Sequence, residues 1–284
     1  MRKNKIFLIL AVTTIGLGLT AALAAAVVVY AGVYNISAIR QHWQPIHSLM
    51  EVAMRQSVRR HARNIEEPPL SDPQMALRGA ASYRDHCVQC HGAPGVAQSA
   101  IGLSLQPLPG PLVDAREHWR PRELYWVVRH GIKMTGMPAW EYRLSDDAIW
   151  ELVAFMQQLP QLNAAQYAQW AHDAPAPARE TAPAVQPAAA FAPDVERGRR
   201  ALPQYACNAC HSIPGITGSD VYVGPPLAGI GARTLIAGTL SNTPRNLARW
   251  LTHTQQVKPG TAMPQLGVSP QDAQDIAAYL ATLQ

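Results

Sequence analysis

The sequence predicts an all-α protein in which one N-terminal transmembrane helix is followed by two small helical domains. Three observations support this prediction: a long uncharged segment at the N-terminus, an internal repeat over the rest of the chain, and apolar residues spaced as in helices rather than alternating as in strands. The predicted divisions are a cytoplasmic tip and transmembrane anchor at 1–35, a partly helical juxtamembrane segment at 36–71, a first domain at 72–170, a linker at 171–193 and a second domain at 194–284.

The N-terminal segment has the length and composition of a membrane anchor. Residues 1–5 carry three basic side chains, and residues 6–34 carry no charged side chain. At about 1.5 Å per residue, this run is long enough to span a hydrocarbon layer of ~30 Å. The small residues of "AALAAA" also suit a signal-peptidase site, but the apolar run continues through "VVVYAGVY", well beyond the roughly 7–15 apolar residues of a signal peptide. We therefore expect an uncleaved anchor. Its basic start favours a cytoplasmic N-terminus, although four arginines follow the span.

The juxtamembrane segment and the charge distribution favour a membrane over nucleic acid. Residues 46–63 are predicted to form a helix in which apolar residues such as Ile46 and Leu49 lie beside arginines. Such a helix can lie on anionic head groups, pack on a partner subunit or form a solvated stalk, and all three readings stay open. The net charge of +5 arises next to the anchor, because residues 1–71 hold eight Lys or Arg and three Asp or Glu. Neither domain carries a strongly basic face, so we expect no nucleic-acid partner.

All four cysteines lie in two copies of one motif, "CVQCH" at 87–91 and "CNACH" at 207–211. Two pairs so far apart, each followed directly by His, are an unusual way to supply the four ligands of a structural zinc site. A thioredoxin-like redox pair needs a βαβ setting, which this sequence does not predict. Two residues between the cysteines do let both sulfurs reach the vinyl groups of one porphyrin, with the adjacent imidazole facing the iron. The motifs therefore predict two covalently bound haem c groups, attached through Cys87 and Cys90 and through Cys207 and Cys210.

Each haem then needs axial ligands, of which His91 and His211 are the first in each half. "GIKMTGMPAW" offers Met134 and Met137 as the sixth ligand of the first haem, and "KPGTAMPQL" offers Met263 for the second. Met137 and Met263 share a following proline and a Gly/Pro/Thr-rich loop, so they are the predicted pair. Met134 remains the main rival. Three histidines in the same spans are predicted to be surface groups or groups that support the ligands, namely His118, His130 and His253.

The repeat extends to the helices around each motif. "RG" precedes both motifs at nearly the same distance, and "RPRELYWVV" and "TPRNLARWL" each begin a helix with proline at the first position. "LSDDAIWELVAFMQQL" and "VSPQDAQDIAAYLATL" each follow a serine cap with an apolar stripe. Each half is therefore a helical domain of about 90 residues, small for an unaided apolar core.

Both halves resemble class I cytochrome c domains, over residues 72–163 and 194–284, and together they resemble membrane-anchored dihaem c-type cytochromes of bacterial respiratory chains. The resemblance implies that the first and last helices of each half cross, with Gly79 opposite Phe155 and Gly198 opposite Tyr279. It also implies a proline carbonyl that holds the axial imidazole. Pro225 fits that role in the second half, whereas Pro109 and Pro111 both fit in the first.

The resemblance also implies where and how the protein works. The haem domains are expected on the periplasmic side of a bacterial inner membrane, crossed once by the chain. Six-coordinate haem favours one-electron transfer, from a quinol-oxidising complex or dehydrogenase to a terminal oxidase, with the chain as a shuttle or as a fixed subunit of a larger complex. A dihaem enzyme such as a peroxidase is the less favoured alternative, because no acid–base group marks an open haem.

The linker composition suggests how the two domains are joined. Its 23 residues include ten Ala and five Pro, which favours an extended, semi-stiff chain. We hypothesise that the second domain swings on this tether and exchanges electrons with the first domain when the two meet.

Overall fold

The computed structural model describes residues 2–175, 192–218, 221 and 223–284 of the chain. These ranges are mainly helical and include one short antiparallel hairpin. The helices before the linker are α1 (Arg2–Tyr30), α2 (Gln44–Ala62), α3 (Pro73–His86), α4 (Val88–His91), α5 (Ala100–Leu103), α6 (Ala115–His118), α7 (Pro121–His130), α8 (Asp146–Gln158) and α9 (Ala164–Asp173). The elements after it are α10 (Val195–Gln204), the strands β1 (Leu235–Ile236) and β2 (Leu240–Ser241), α11 (Pro244–Thr252), α12 (Thr254–Val257) and α13 (Pro270–Ala281). Single 3₁₀ turns cover Leu159–Gln161, Cys207–Ala209 and Ile230–Ala232.

Helix α1 is apolar on every side and exposes its large side chains along its length. It has 29 residues, which corresponds to about 43 Å of helix. The part from Asn4 to Tyr30 is long and apolar enough to cross a membrane. After α1 the chain forms a loop between residues 34 and 42. Its ends meet, since the Tyr34 hydroxyl contacts His42 Nδ1 and the two rings stack.

Helix α2 packs against the first domain through its C-terminal half. Val58 and Ala62 are buried there, and the guanidinium carbon of Arg55 lies 5.1 Å from the centroid of a Trp119 ring. The His61 ring stacks on Trp126 of α7, with ring centroids 5.6 Å apart. The juxtamembrane helix is therefore part of the folded structure at its C-terminal end, which disfavours a wholly solvated stalk.

In the first domain α3 crosses α8 at Gly79. A Cβ added to Gly79 would lie 1.9 Å from the carbonyl oxygen of Glu151, so only glycine permits the two helices to approach so closely. One turn further along α8, Phe155 is fully buried against Tyr83 of α3, with ring centroids 5.2 Å apart. The predicted crossing is therefore present, although the glycine meets backbone rather than the Phe155 ring.

The second domain repeats this crossing with α10 and α13. A Cβ on Gly198 would lie 2.0 Å from the carbonyl oxygen of Asp275, again one turn before the aromatic residue, here Tyr279. Helix α11 packs on α13, as α7 packs on α8 in the first domain. The hairpin of β1 and β2, which the sequence did not predict, precedes α11.

The predicted helix starts are confirmed by their caps. Pro121 and Pro244 occupy the first positions of α7 and α11. Ser145 accepts from the Ala148 N–H at the start of α8, and Ser269 accepts from the Asp272 N–H at the start of α13. Side-chain caps of this kind satisfy backbone donors that the first helical turn leaves free.

The end of the first domain differs from its predicted boundary at residue 170. Helix α9 continues through Asp173 and packs on α3, where Arg84 Nη1 donates to the carbonyl oxygen of Ala171 at 2.5 Å. Most of the predicted linker, residues 176–191, lies outside the described residues.

Candidate functional site

The first motif forms a single helical turn at the end of α3. The N–H groups of Cys90 and His91 both donate to the carbonyl oxygen of Cys87, at 3.0 and 2.9 Å. Cys87 is buried, whereas Cys90 and His91 are partly exposed. The turn therefore holds two thiols and one imidazole in a fixed mutual arrangement, with one thiol inside the domain core.

The second motif adopts the same turn by a slightly different route. Ala206, just before Cys207, takes a left-handed conformation with φ of 54°, which breaks the chain direction after α10. Cys210 and His211 then donate to the carbonyl oxygen of Cys207 at 3.2 and 2.9 Å. Cys207 is buried, like Cys87.

Both imidazoles are oriented by a backbone carbonyl. His211 Nδ1 lies 2.7 Å from the Pro225 carbonyl oxygen, the contact that the resemblance implied. His91 Nδ1 lies 2.7 Å from the carbonyl oxygen of Gly110, which is the residue between the two prolines considered from the sequence. With Nδ1 as donor, Nε2 of each ring keeps a free lone pair, as a metal-ligating imidazole requires.

The loops that carry these carbonyls approach the histidines closely. A Cβ on Gly224 would lie 2.5 Å from Cε1 of His211, so the chain before Pro225 needs glycine at this position. In the first domain Gln98 Nε2 donates to the carbonyl oxygens of both Cys90 and Pro109, at 2.6 Å each. Gln98 thus ties the motif to the loop that holds the imidazole, a role that its sequence context did not indicate.

The two predicted axial methionines pack against the apolar cores that contain the buried cysteines. Met137 is partly buried against the core of the first domain, and Met263 against that of the second. Met134 is 83% exposed and has a φ of 61°, so it points away from the core that Met137 joins. Gln255 Nε2 holds the Met263 carbonyl oxygen at 2.8 Å, and the Ile132 N–H holds that of Met137 at 3.2 Å.

Each loop after a histidine is also tied by a tyrosine hydroxyl. Tyr83 donates to the carbonyl oxygen of Gly92 at 2.8 Å, and Tyr279 donates to that of Pro214 at 2.7 Å. The resemblance implies Tyr279 as the aromatic residue opposite Gly198, and the sequence gives no indication of a role for Tyr83. A tyrosine four residues before the first motif is a signal that could have revealed Tyr83, whereas Tyr279 lies 68 residues after the second motif and has no such signal.

Burial shifts the pKa of three motif residues, Cys87, His91 and Cys207. It raises the pKa of Cys87 to about 12 and that of Cys207 to about 11, so both thiols are protonated at neutral pH. Burial also lowers the pKa of His91, partly opposed by the bond to Gly110, which favours the neutral imidazole.

These donors fit a covalently attached haem. Each domain offers two thiols for one porphyrin edge, an imidazole oriented through its Nδ1, and a thioether from the methionine loop. Within the described ranges, no group of three or more His, Cys, Asp or Glu side chains is placed to hold a metal ion by itself.

Comparisons with known proteins agree with this chemistry. Residues 74–156 match the family described as cytochrome c oxidase, cbb3-type, subunit III, and residues 195–284 match the cytochrome c family. Cytochrome c oxidase subunit 2 of Alkalihalophilus pseudofirmus is 35% identical over 89 residues, which are 31% of this chain and 25% of that protein. No solved structure matches the chain. The chain is therefore a c-type cytochrome that carries two cytochrome c domains, one over residues 74–156 and the other over residues 195–284.

Proposed function

We propose that this cytochrome is anchored in the bacterial inner membrane by α1, holds two haem c groups on the periplasmic side, and carries single electrons from a quinol-oxidising complex or a dehydrogenase to a terminal oxidase. The observation that carries the proposal is the duplicated motif turn with an oriented imidazole in each of two cytochrome c domains. The terminal oxidase as acceptor is supported by the oxidase subunits that appear in the comparisons.

In this proposal each domain supplies a complete set of haem contacts. Cys87 and Cys90 attach the first haem, and Cys207 and Cys210 attach the second. The axial pairs are His91 with Met137 and His211 with Met263. A haem c held in this way exchanges one electron at a time without an open coordination position.

The protein groups around each site keep the ligands in place. The carbonyl groups of Gly110 and Pro225 fix the orientation of the two imidazoles. Gln255 holds the backbone on both sides of the second methionine, because its Nε2 bonds the carbonyl oxygens of Thr261 and Met263. Such fixed ligands suit electron transfer, since the coordination sphere then changes little between oxidation states.

Haem content provides the first test. The full chain, produced in a host that matures c-type cytochromes, should contain two haem groups per polypeptide by pyridine haemochrome assay. The double variant Cys87→Ala/Cys90→Ala and the double variant Cys207→Ala/Cys210→Ala should each retain one. One haem in the unmodified chain, or none, would contradict the proposal.

Ligand binding and turnover provide the second test. Carbon monoxide added to the reduced protein should bind neither haem rapidly, because both axial positions are filled. Rapid binding at one haem would favour a dihaem enzyme such as a peroxidase instead. The reduced protein in lipid nanodiscs should be reoxidised by a purified haem–copper oxidase and oxygen, and not by oxygen alone.

A second candidate is a fixed subunit of an oxidase rather than a shuttle. The match of residues 74–156 to a family described as an oxidase subunit favours it. A chain with a C-terminal affinity tag, extracted from membranes in mild detergent, would then co-purify with oxidase subunits in equal amounts and resist a high-salt wash. A shuttle would be recovered without stoichiometric partners, yet would still support oxygen uptake when added back.

A further inference from the structure

The two cytochrome c domains touch through adjacent residues, Tyr142 and Arg143 of the first domain and Gln204 and Tyr205 of the second. Arg143 Nη2 donates to the carbonyl oxygen of Gln204 at 3.0 Å, and its guanidinium carbon lies 4.8 Å from the centroid of the Tyr205 ring. The rings of Tyr142 and Tyr205 meet edge to face, with centroids 6.2 Å apart. We call these four residues the interdomain contact.

The interdomain contact is anchored firmly on the side of the second domain. Tyr205 is buried, and its hydroxyl donates to Asp272 Oδ2 at 2.7 Å. Asp272 in turn forms an ion pair of 2.6 Å with Arg197. Because the Tyr205 ring is held by this network, it offers a fixed surface for Tyr142 and Arg143.

The contact also lies next to proposed haem-binding residues in the sequence of both domains. Tyr142 follows Met137 by five residues, and Tyr205 precedes Cys207 by two. Cys207 Sγ lies 3.9 Å from the carbonyl oxygen of Tyr205. The segments that meet between the domains are therefore the methionine loop of the first site and the chain that enters the motif of the second.

We propose that the interdomain contact is the docking surface through which the two domains exchange electrons, with Tyr142 and Arg143 holding the first domain on Tyr205. This inference rests on the proposed function, because it assumes a haem in each domain. One electron leaves the reduced iron of one domain and reduces the oxidised iron of the other, with no bond or proton transferred. Electron tunnelling weakens steeply with distance, so a contact built from ligand-bearing segments favours rapid exchange.

Tyr142 contributes to the contact through its ring. Its hydroxyl oxygen is buried and has no hydrogen-bond partner among the residues that the structure describes. Burial, with Glu141 nearby, raises the pKa of this phenol to about 12, so it is neutral at physiological pH. The ring packs against the apolar core of the second domain. Removing the hydroxyl alone should therefore leave docking intact, whereas removing the ring should not.

The first measurement is the distance between the two irons, by pulsed electron paramagnetic resonance of the oxidised full chain in nanodiscs. The unmodified protein should give one narrow distance distribution, and Tyr142→Ala/Arg143→Ala a broad one shifted to longer distances. Tyr142→Phe should keep the narrow distribution. Arg245→Ala is the matched control, because it removes one exposed arginine at the start of α11 without touching the contact.

The second measurement is the rate at which an electron equilibrates between the haems after rapid reduction with less than one equivalent of reductant. We expect at least a tenfold slower equilibration in Tyr142→Ala/Arg143→Ala, with both reduction potentials unchanged, and wild-type rates in Tyr142→Phe and Arg245→Ala. An unchanged distance distribution in the double variant would overturn the docking role. A broadened distribution with an unchanged rate would overturn the electron route. In either case the presence of two reducible haems would leave the proposed function standing.

Discussion

In the first domain the hydroxyl that reaches the loop after His91 comes from Tyr83 on α3, whereas in the second domain the hydroxyl that reaches the loop after His211 comes from Tyr279 on α13. The equivalent positions carry no hydroxyl: Phe155 stands where the second domain has Tyr279, and Leu202 where the first has Tyr83. Both helices of the crossing face the motif loop, so either can supply the bond. The accepting carbonyl groups are not equivalent, because Gly92 directly follows His91 whereas Pro214 lies three residues after His211. The two domains therefore share a tyrosine bond to this loop but differ in both the donating helix and the accepting carbonyl.

The charges beside the two crossings differ more strongly. Arg78 pairs with Glu151 at the surface, with side chains that are 46% and 22% exposed. The equivalent Arg197 pairs with Asp272 and Asp275, whose side chains are 5% and 0% exposed. A buried carboxylate depends on its partner far more than an exposed one does. In the second domain the acidic members of the ion pairs are therefore buried. One of them, Asp272, also accepts the hydrogen bond of Tyr205 in the interdomain contact.

The glycine crossings are the feature most alike in the two domains, and breaking them should have the largest effect. Gly79→Ala and Gly198→Ala each place a Cβ about 2 Å from a carbonyl oxygen of the facing helix, so the helices must separate. Each change should lower the free energy of unfolding of its own domain by about 3 kcal/mol or more. Hydrogen exchange read by mass spectrometry, on peptides from α3 and α10, would measure both effects in one chain.

Gly18→Ala is the matched control, because a Cβ at Gly18 of α1 meets no atom within 4 Å and touches neither crossing. It should leave exchange in both domains unchanged. Equal hydrogen-exchange protection in Gly79→Ala and in the unmodified chain would show that the two helices can move apart at little cost in stability. The close crossing would then not be needed for the stability of the domain.

The arginine ion pairs should contribute differently to the stability of the two domains. Arg197→Ala leaves two buried carboxylates without their cation and should lower the unfolding free energy of the second domain by about 2 kcal/mol, less than the ~3–5 of a fully buried pair because Arg197 is partly exposed. Arg78→Ala, at the surface of the first domain, should lower it by less than about 1 kcal/mol. Urea dependence of hydrogen exchange would give both values. Similar losses in the two variants would remove the distinction drawn between the crossings.

Removing the tyrosine hydroxyls tests the hydrogen bonds that α3 donates in the first domain and α13 donates in the second. Tyr83→Phe and Tyr279→Phe each delete one hydrogen bond to a loop carbonyl and should each lower the unfolding free energy of the affected domain by about 1 kcal/mol. The effect should be somewhat larger for Tyr83, which is fully buried, than for Tyr279, which is 7% exposed. Hydrogen exchange of the loops after His91 and His211 is the measurement. Faster exchange confined to the loop of the altered domain is expected, and no change in either loop would contradict a shared role.

The smallest expected difference depends on pH. Burial alone would raise the pKa of Asp146, but the Arg129 guanidinium and the Tyr125 hydroxyl hold it below its ordinary value. A carboxylate with a lowered pKa in the folded state adds stability at neutral pH, and this stability is lost as the pH falls from about 5 through the folded-state pKa. Because the Asp146 side chain is 61% exposed, the effect should stay below about 1 kcal/mol.

Asp146→Asn isolates this contribution. The variant should be slightly less stable than the unmodified chain at pH 7, and this difference should shrink as the pH falls below about 4, by urea unfolding followed on peptides of α7 and α8. The second domain has Pro270 at the equivalent position and should show no change. A difference that stays constant as the pH falls would mean that the asparagine affects packing rather than charge.

The helices were predictable because their signals are local. Pro121 and Pro244 start α7 and α11 as the sequence indicates. The serine caps of α8 and α13 also occur at the predicted serines, Ser145 and Ser269. The order of elements and the repeat followed from those signals. The short hairpin of β1 and β2 was not predictable, because strands of two residues leave no alternating apolar pattern in the sequence.

The contacts that orient the site were less predictable, because they depend on the path of the backbone. A carbonyl belongs to every residue, so nothing in "PLPGPLVD" distinguishes Gly110 as the partner of His91 from the prolines beside it. Gln98 and Tyr83 act on carbonyl groups eight to eleven residues away, and only the folded chain brings them together. The choice of Met137 over Met134 stays a prediction, supported by the exposure of Met134.

The length of helix α2 sets the relative orientation of two surfaces, one packed on the first domain and one exposed. Its C-terminal turns face the first domain with Val58 and Ala62, while Ile46, Leu49 and Met50 near its N-terminus form an exposed apolar stripe. Each residue of an α-helix turns the chain by about 100°. Inserting a single residue between these two halves would thus swing the exposed stripe a quarter-turn or more away from its present bearing, whereas inserting four would nearly restore it. The number of residues in α2 therefore determines which way the exposed stripe faces relative to the first domain.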